Sequence, residues 1–186
     1  MRRLIHALAL FSWVALPGLA PAMAAHDVVA PLEYQVKAAY LFYFTRFVEW
    51  PATARPAAPL TVCVAAKNPF GTALADTMRR EQVNGRPVDA RIVRQPGGCH
   101  VLFIPHDVPH EPYLRAARGL PMLTVGESRE FLRGGGIVNF LIENGRVRFE
   151  IDQRAAARAN LRISSRLLRL ARTPAPGTDD GAWLAR

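Results

Sequence analysis

Acidic side chains are scarce in this sequence: 15 Asp and Glu stand against 24 Lys and Arg, for a formal charge of +9. Carboxylates able to pair for acid–base chemistry are scarcer still, because the sequence establishes no pairing among Glu127, Glu143 and Glu150. Cysteine occurs twice, at Cys63 and Cys99. No internal repeat is visible, which excludes solenoids and propellers. No long hydrophobic run crosses a bilayer either. The apolar stretch Leu4 to Leu19 is interrupted by His6, Ser12 and Pro17 and falls short of the about 20 residues that a span requires.

That stretch has a better explanation as an export signal. Met1-Arg2-Arg3 is a positive start, the apolar run follows, and Ala22-Met23-Ala24 is a small-x-small cleavage pattern. Residues 1–24 therefore read as a signal peptide, with the mature chain starting near Ala25. Loss of Arg2 and Arg3 lowers the charge to about +7, still basic. The arginines spread from Arg79 to Arg172 rather than gathering into a patch with interleaved aromatics, so no nucleic-acid partner is expected. A solvated basic face, or attraction to anionic lipid or cell-wall polymer, suits an exported chain better. An even pair of cysteines in an oxidising compartment favours a disulfide, with a buried free pair as the alternative.

One segment invites a catalytic reading. Thr124 to Phe140 runs TVGESREFLRGGGIVNF, with a serine after a β-rich run and three glycines after the serine. A nucleophile elbow needs glycine on both sides of the serine, and Glu130 stands where the second should be. A phosphate loop needs its glycines to open a helix, whereas Gly134-Gly135-Gly136 open onto the β-rich Ile137 to Phe140. The expectation is scaffold: a short helix from Ser128, as N-cap, to Leu132, ended by the glycines.

Along the chain, apolar residues at Leu32, Val36, Ala39, Tyr40, Tyr43, Phe44, Phe47 and Trp50 recur at helical spacing, and Pro51 stops the helix. This stripe reads as core. Strands are expected at Leu60 to Val64, Val88 to Val93, Val101 to Ile104 and Met122 to Val125, with helices at Thr72 to Glu81 and Pro112 to Gly119. Continuous apolar strands alternating with helices indicate a mostly parallel sheet covered on both faces. Asn144-Gly145 between Ile137 to Ile142 and Arg146 to Ile151 marks a type I′ hairpin. A long helix is expected from Gln153 to Arg172. The fold class is thus α/β: one three-layer domain over residues 25–172, its mixed, mostly parallel sheet carrying a C-terminal antiparallel hairpin, flanked by helices. Residues 173–186, opening with Thr173-Pro174-Ala175-Pro176-Gly177, read as a disordered tail.

No catalytic set, metal site or cofactor site emerges. His106 and His110 have the spacing of two ligands on a helix, but Pro105, Pro109 and Pro112 exclude that helix. Cys99 and His100 are adjacent, so on a strand their side chains point to opposite faces. The alternating late strand places Arg148 and Glu150 on the side away from Phe149 and Ile151, where they form a candidate partner surface.

The order of short motifs resembles the YfiR family of small periplasmic proteins. The matching stretches are Val36-Lys37-Ala38-Ala39-Tyr40-Leu41 through Phe47-Val48-Glu49-Trp50-Pro51, then Asn68-Pro69-Phe70-Gly71, and Cys99-His100-Val101-Leu102-Phe103-Ile104. Leu123 to Ser128, Phe131 with Gly134 to Ile137, Arg146 to Ile151 and Ile163 to Leu168 follow in order, so the likeness covers almost the whole mature chain. The resemblance implies a periplasmic regulator, not an enzyme, that represses an inner-membrane diguanylate cyclase by binding its periplasmic domain. Cyclic di-GMP and biofilm formation would rise on release. It also implies that Cys63 and Cys99 are bridged; a second bridge found in some members has no counterpart here. A homodimer is a compatible state. The rival reading is a periplasmic small-molecule sensor serving another membrane signalling protein, with Tyr40, Tyr43, Phe44 or Trp50 lining the pocket.

Overall fold

The computed structural model describes residues 31–52, 59–79 and 81–173. The expected signal peptide, and all of the expected tail except Thr173, lie outside the described residues. The elements in chain order are α1 (Leu32–Phe47), β1 (Val48–Glu49), β2 (Leu60–Ala65), α2 (Ala73–Met78), β3 (Gln82–Val83), β4 (Arg86–Val93) and β5 (Val101–Phe103). They continue with α3 (Glu111–Ala117), β6 (Leu123–Gly126), β7 (Val138–Glu143), β8 (Arg146–Ile151), α4 (Gln153–Arg158), β9 (Arg162–Ile163) and α5 (Ser165–Leu168).

Seven strands form one mixed sheet in the order β3-β4-β2-β5-β6-β7-β8. The five from β4 to β7 run parallel, while β3 and β8 close the two edges antiparallel. β5 and β6 are buried along their whole length, as strands covered on both faces must be. Alternate side chains divide the interior in two. Val62, Phe103, Val125, Phe140 and Phe149 pack beneath α1, α2, α4 and α5, whereas Cys63, Leu102 and Ile104 meet α3 through Leu114 and Ala117. The arrangement is the expected three-layer α/β domain. Asn144 and Gly145 take φ of 50 and 70, as a type I′ turn requires, and pair Glu143 with Arg146 across it.

The disulfide between Cys63 and Cys99 is formed, with Cα atoms 5.8 Å apart. It pins the segment after β4 as that segment passes β2 to reach β5. Arg91 holds the same segment by donating to the Gly97 carbonyl at 2.9 Å.

Three expectations are corrected. The helix expected from Gln153 to Arg172 breaks after α4, because Asn160 adopts φ 55 and the Leu161 N–H turns back to the Ala156 carbonyl at 2.9 Å. That is a Schellman ending with asparagine in the left-handed position. The chain then extends so that β9 can pair with β1, before Ser164 caps α5 by accepting from Leu167 N.

The short helix expected at Ser128 is absent. Residues 129–135 form successive turns, and the buried Ser128 Oγ caps nothing and has no hydrogen-bond partner. What organises the segment is the Phe131 ring. A Cβ at Gly126 or at Gly136 would collide with it from either side, so the two glycines create its slot.

The apolar stripe of α1 is the third correction. The buried residues of the helix are Lys37, Ala38, Leu41, Phe42, Phe44 and Thr45, whereas Leu32, Val36 and Tyr43 face solvent and Phe47 is half-buried. Trp50 is buried but follows β1 rather than ending the helix. A helix apolar on two sides does not reveal its phase by spacing.

Candidate functional site

In open α/β sheets, side chains from the loops after the strands converge at the carboxyl ends of the parallel strands. Here that end is covered by the first turns of α1. Glu127 directly follows β6, and His106 lies in the turn after β5. The Lys37 ammonium, on the inner face of α1, ion-pairs with Glu127 Oε2 and with Glu33 Oε1. Glu127 Oε1 accepts from the Tyr34 hydroxyl at 3.0 Å and from the His106 backbone N–H at 3.0 Å, and the His106 imidazole lies 3.4 Å away.

The Lys37 and Glu127 side chains are 3% and 4% exposed. The ammonium also lies 4.6 Å from the Tyr34 ring centroid and 5.9 Å from that of Phe140, within cation–π range. Burial, and then the Glu127 charge, push the Tyr34 phenol well above its ordinary range. Both Glu127 oxygens are engaged, so the cluster ties α1 to the sheet and offers no ready base.

Beside this cluster an apolar groove opens between α1 and the β7–β8 hairpin. It has a volume of about 480 Å³ and is lined by Leu32, Val36, Tyr40, Ile142 and Val147, with Glu33, Arg146 and Arg148 along it. Ile142 is 51% exposed and Leu32 74%. Water-facing apolar side chains of two adjoining elements thus meet in one groove.

The residues singled out in the sequence fall in different places. Arg148 lines the groove. Glu150 does not: it is half-buried, and Arg172 forms a bridge with the β8 edge there, its N–H donating to the Phe149 carbonyl at 2.8 Å. Desolvation raises the Glu150 carboxyl, opposed by the Arg172 charge. Of the four aromatics named as a pocket lining, Tyr40 lines the groove, Phe44 and Trp50 are core, and Tyr43 is exposed.

His106 and His110 do not converge, since His106 is exposed toward Glu127 while His110 packs against Phe131 at 5.7 Å. His100 accepts from Thr61 N–H through Nδ1, and Cys99 is in the disulfide. Among the described residues no group of three or more His, Cys, Asp and Glu is placed to hold a metal, and no helix is long and apolar enough to cross a membrane.

Sequence reasoning missed Lys37 and Glu127. The available signal was the lysine itself, a charge in the middle of an apolar helix, which needs a carboxylate if it is buried. Which of 15 acids would answer it depends on the fold.

Comparison with curated protein sequences finds no match. A family model described as YfiR/HmsC-like matches residues 34–172, a span that begins at Tyr34 and takes in Lys37, Glu127, the disulfide and the hairpin. On that match, which covers nearly all of the described fold, the chain belongs to the YfiR/HmsC-like family.

Proposed function

We propose that this protein is a periplasmic regulator that binds the periplasmic domain of an inner-membrane diguanylate cyclase and holds it inactive, restraining cyclic di-GMP signalling and biofilm formation. Family membership over residues 34–172 is the observation that carries the reading. The groove between α1 and the hairpin supports it with a surface of suitable character: an apolar strip of Leu32, Val36 and Ile142 edged by Arg146 and Arg148. Interface cores of this kind exclude water around a few apolar anchors, and charges at the rim set orientation and rate. The protein's role is binding, with no catalytic step.

The test is titration against the periplasmic domain of a cyclase encoded beside this gene. Ile142→Glu is expected to weaken binding by about tenfold or more with the melting temperature unchanged, because it places a charge in the apolar strip. Arg148→Glu should weaken it less and flatten the salt dependence, since the screened attraction of that rim charge is lost. Normal binding by a folded Ile142→Glu protein would remove the groove from the interface, and no binding by the wild type would remove the cyclase reading.

A small-molecule sensor is the second reading, favoured by the groove's volume of about 480 Å³, within the usual range of ligand pockets. Melting-temperature shifts with periplasmic metabolites, lost in Ile142→Glu, would distinguish it.

A further inference from the structure

Between Gln153 and Thr173 the chain carries six arginines, Arg154, Arg158, Arg162, Arg166, Arg169 and Arg172, and neither an acid nor a lysine. All six are exposed. Spacings of three and four would line them along one continuous helix, but the break at Asn160 divides the segment into α4, β9 and α5. Their exposure is instead set by Ala155, Ala156, Leu161 and Leu167, each buried in the core beneath α1.

The segment also closes on the last turn of α1, where Ser164 N donates to the Phe47 carbonyl at 3.0 Å and β9 pairs with β1. That turn carries the exposed Arg46.

Few carboxylates offset this charge. Arg172 is taken up by Glu143, while Arg158 and Arg162 reach Asp152 and Glu49 only at 3.8 Å. Among the described residues no acid lies within ion-pair distance of Arg46, Arg154, Arg166 or Arg169. Beside the last two stands Leu170, 64% exposed. The turn continues through it, with Leu170 N donating to the Leu167 carbonyl at 3.1 Å, so Leu170 lies one turn beyond Arg166.

We propose that this arginine-rich end of the molecule docks on an anionic phospholipid surface. Guanidinium groups pair with phosphate in a planar fork, and basic side chains near an anionic bilayer add attraction residue by residue. A soluble or carbohydrate polyanion would satisfy the arginines and leave Leu170 in water. A lipid interface takes both, with the leucine and the arginine stems in the acyl boundary and the guanidinium groups at the phosphates. The arginines of this surface are not among the residues that line the groove between α1 and the hairpin.

The experiment is co-flotation of the full mature chain with vesicles of phosphatidylglycerol and phosphatidylcholine in equal parts, against phosphatidylcholine alone. Binding is expected only to the anionic vesicles and should fall with added salt. Arg166→Glu with Arg169→Glu should lower the partition about tenfold or more at an unchanged melting temperature. Leu170→Ser should weaken vesicle binding and leave binding to heparin, a lipid-free polyanion, unaltered. Equal binding to both vesicle types, no binding at low salt, or full binding by the folded double variant would overturn the proposal. An unaffected Leu170→Ser protein would overturn the lipid assignment, since the site would then recognise polyanions in general. None of these readouts depends on the cyclase.

Discussion

Lys37 on α1 and Glu127 after β6 form a buried ion pair 90 residues apart in sequence, with 3% and 4% of their side chains exposed. A pair this buried stabilises little by its mere presence, because its attraction offsets the loss of hydration. It is costly to break, since the survivor is a lone charge in a dry place.

Lys37→Met is therefore expected to destabilise the fold by about 3–5 kcal/mol in urea unfolding. Adding Glu127→Gln should recover most of that, because the amide oxygen can still accept from Tyr34 and His106 while the stranded charge is gone. A double variant no more stable than the single one would show that the pair does not act as a unit.

Phe131 predicts the second effect. Gly126→Ala or Gly136→Ala drives a Cβ into its ring and should cost about 1–3 kcal/mol, the usual range for overpacking a core. Phe131→Leu in the Gly126→Ala background should restore part of the loss by vacating the slot. Additive losses measured by thermal unfolding would contradict the slot.

Replacing both cysteines by alanine removes a crosslink that spans 36 residues. The chain-entropy account puts the loss at about 4 kcal/mol, measured by denaturant unfolding. Cys63 is fully buried and Cys99 is 7% exposed, so reductant should reach the bond only as the protein opens. Reduction should accordingly speed up in parallel with unfolding in mild urea.

Tyr34 predicts the behaviour at alkaline pH. Its phenol is raised above the ordinary 10.0 by burial and by Glu127, so the native state binds that proton more tightly than the unfolded chain does. The stability it contributes is fully present below about pH 10 and is lost as the pH rises through the raised native value. Absorbance titration should show a tyrosine step displaced to high pH that belongs to Tyr34. Tyr34→Phe should remove that step and flatten the alkaline decline.

Local patterning was enough to determine much of this protein. The six longer strands β2 and β4 to β8, the Asn144-Gly145 hairpin, the alternation that buries Phe149 and Ile151, and the α/β class all follow from periods of two residues, apolar runs and turn chemistry, which act over a few positions. The family resemblance was legible for the same reason, as motifs in order along the chain.

Tertiary structure decided the rest, wherever the controlling partner is distant in sequence. Which side of α1 is buried depended on the sheet and on Glu127, because the helix is apolar on both sides. The break at Asn160 depended on β1 being available to pair with β9. Gly126 and Gly136 acquired their meaning only once the Phe131 ring lay between them. The groove exists because Ile142 and Val36, more than 100 residues apart, come to flank it when α1 packs across the hairpin. Contacts of that range depend on how the layers assemble, which a local pattern does not encode.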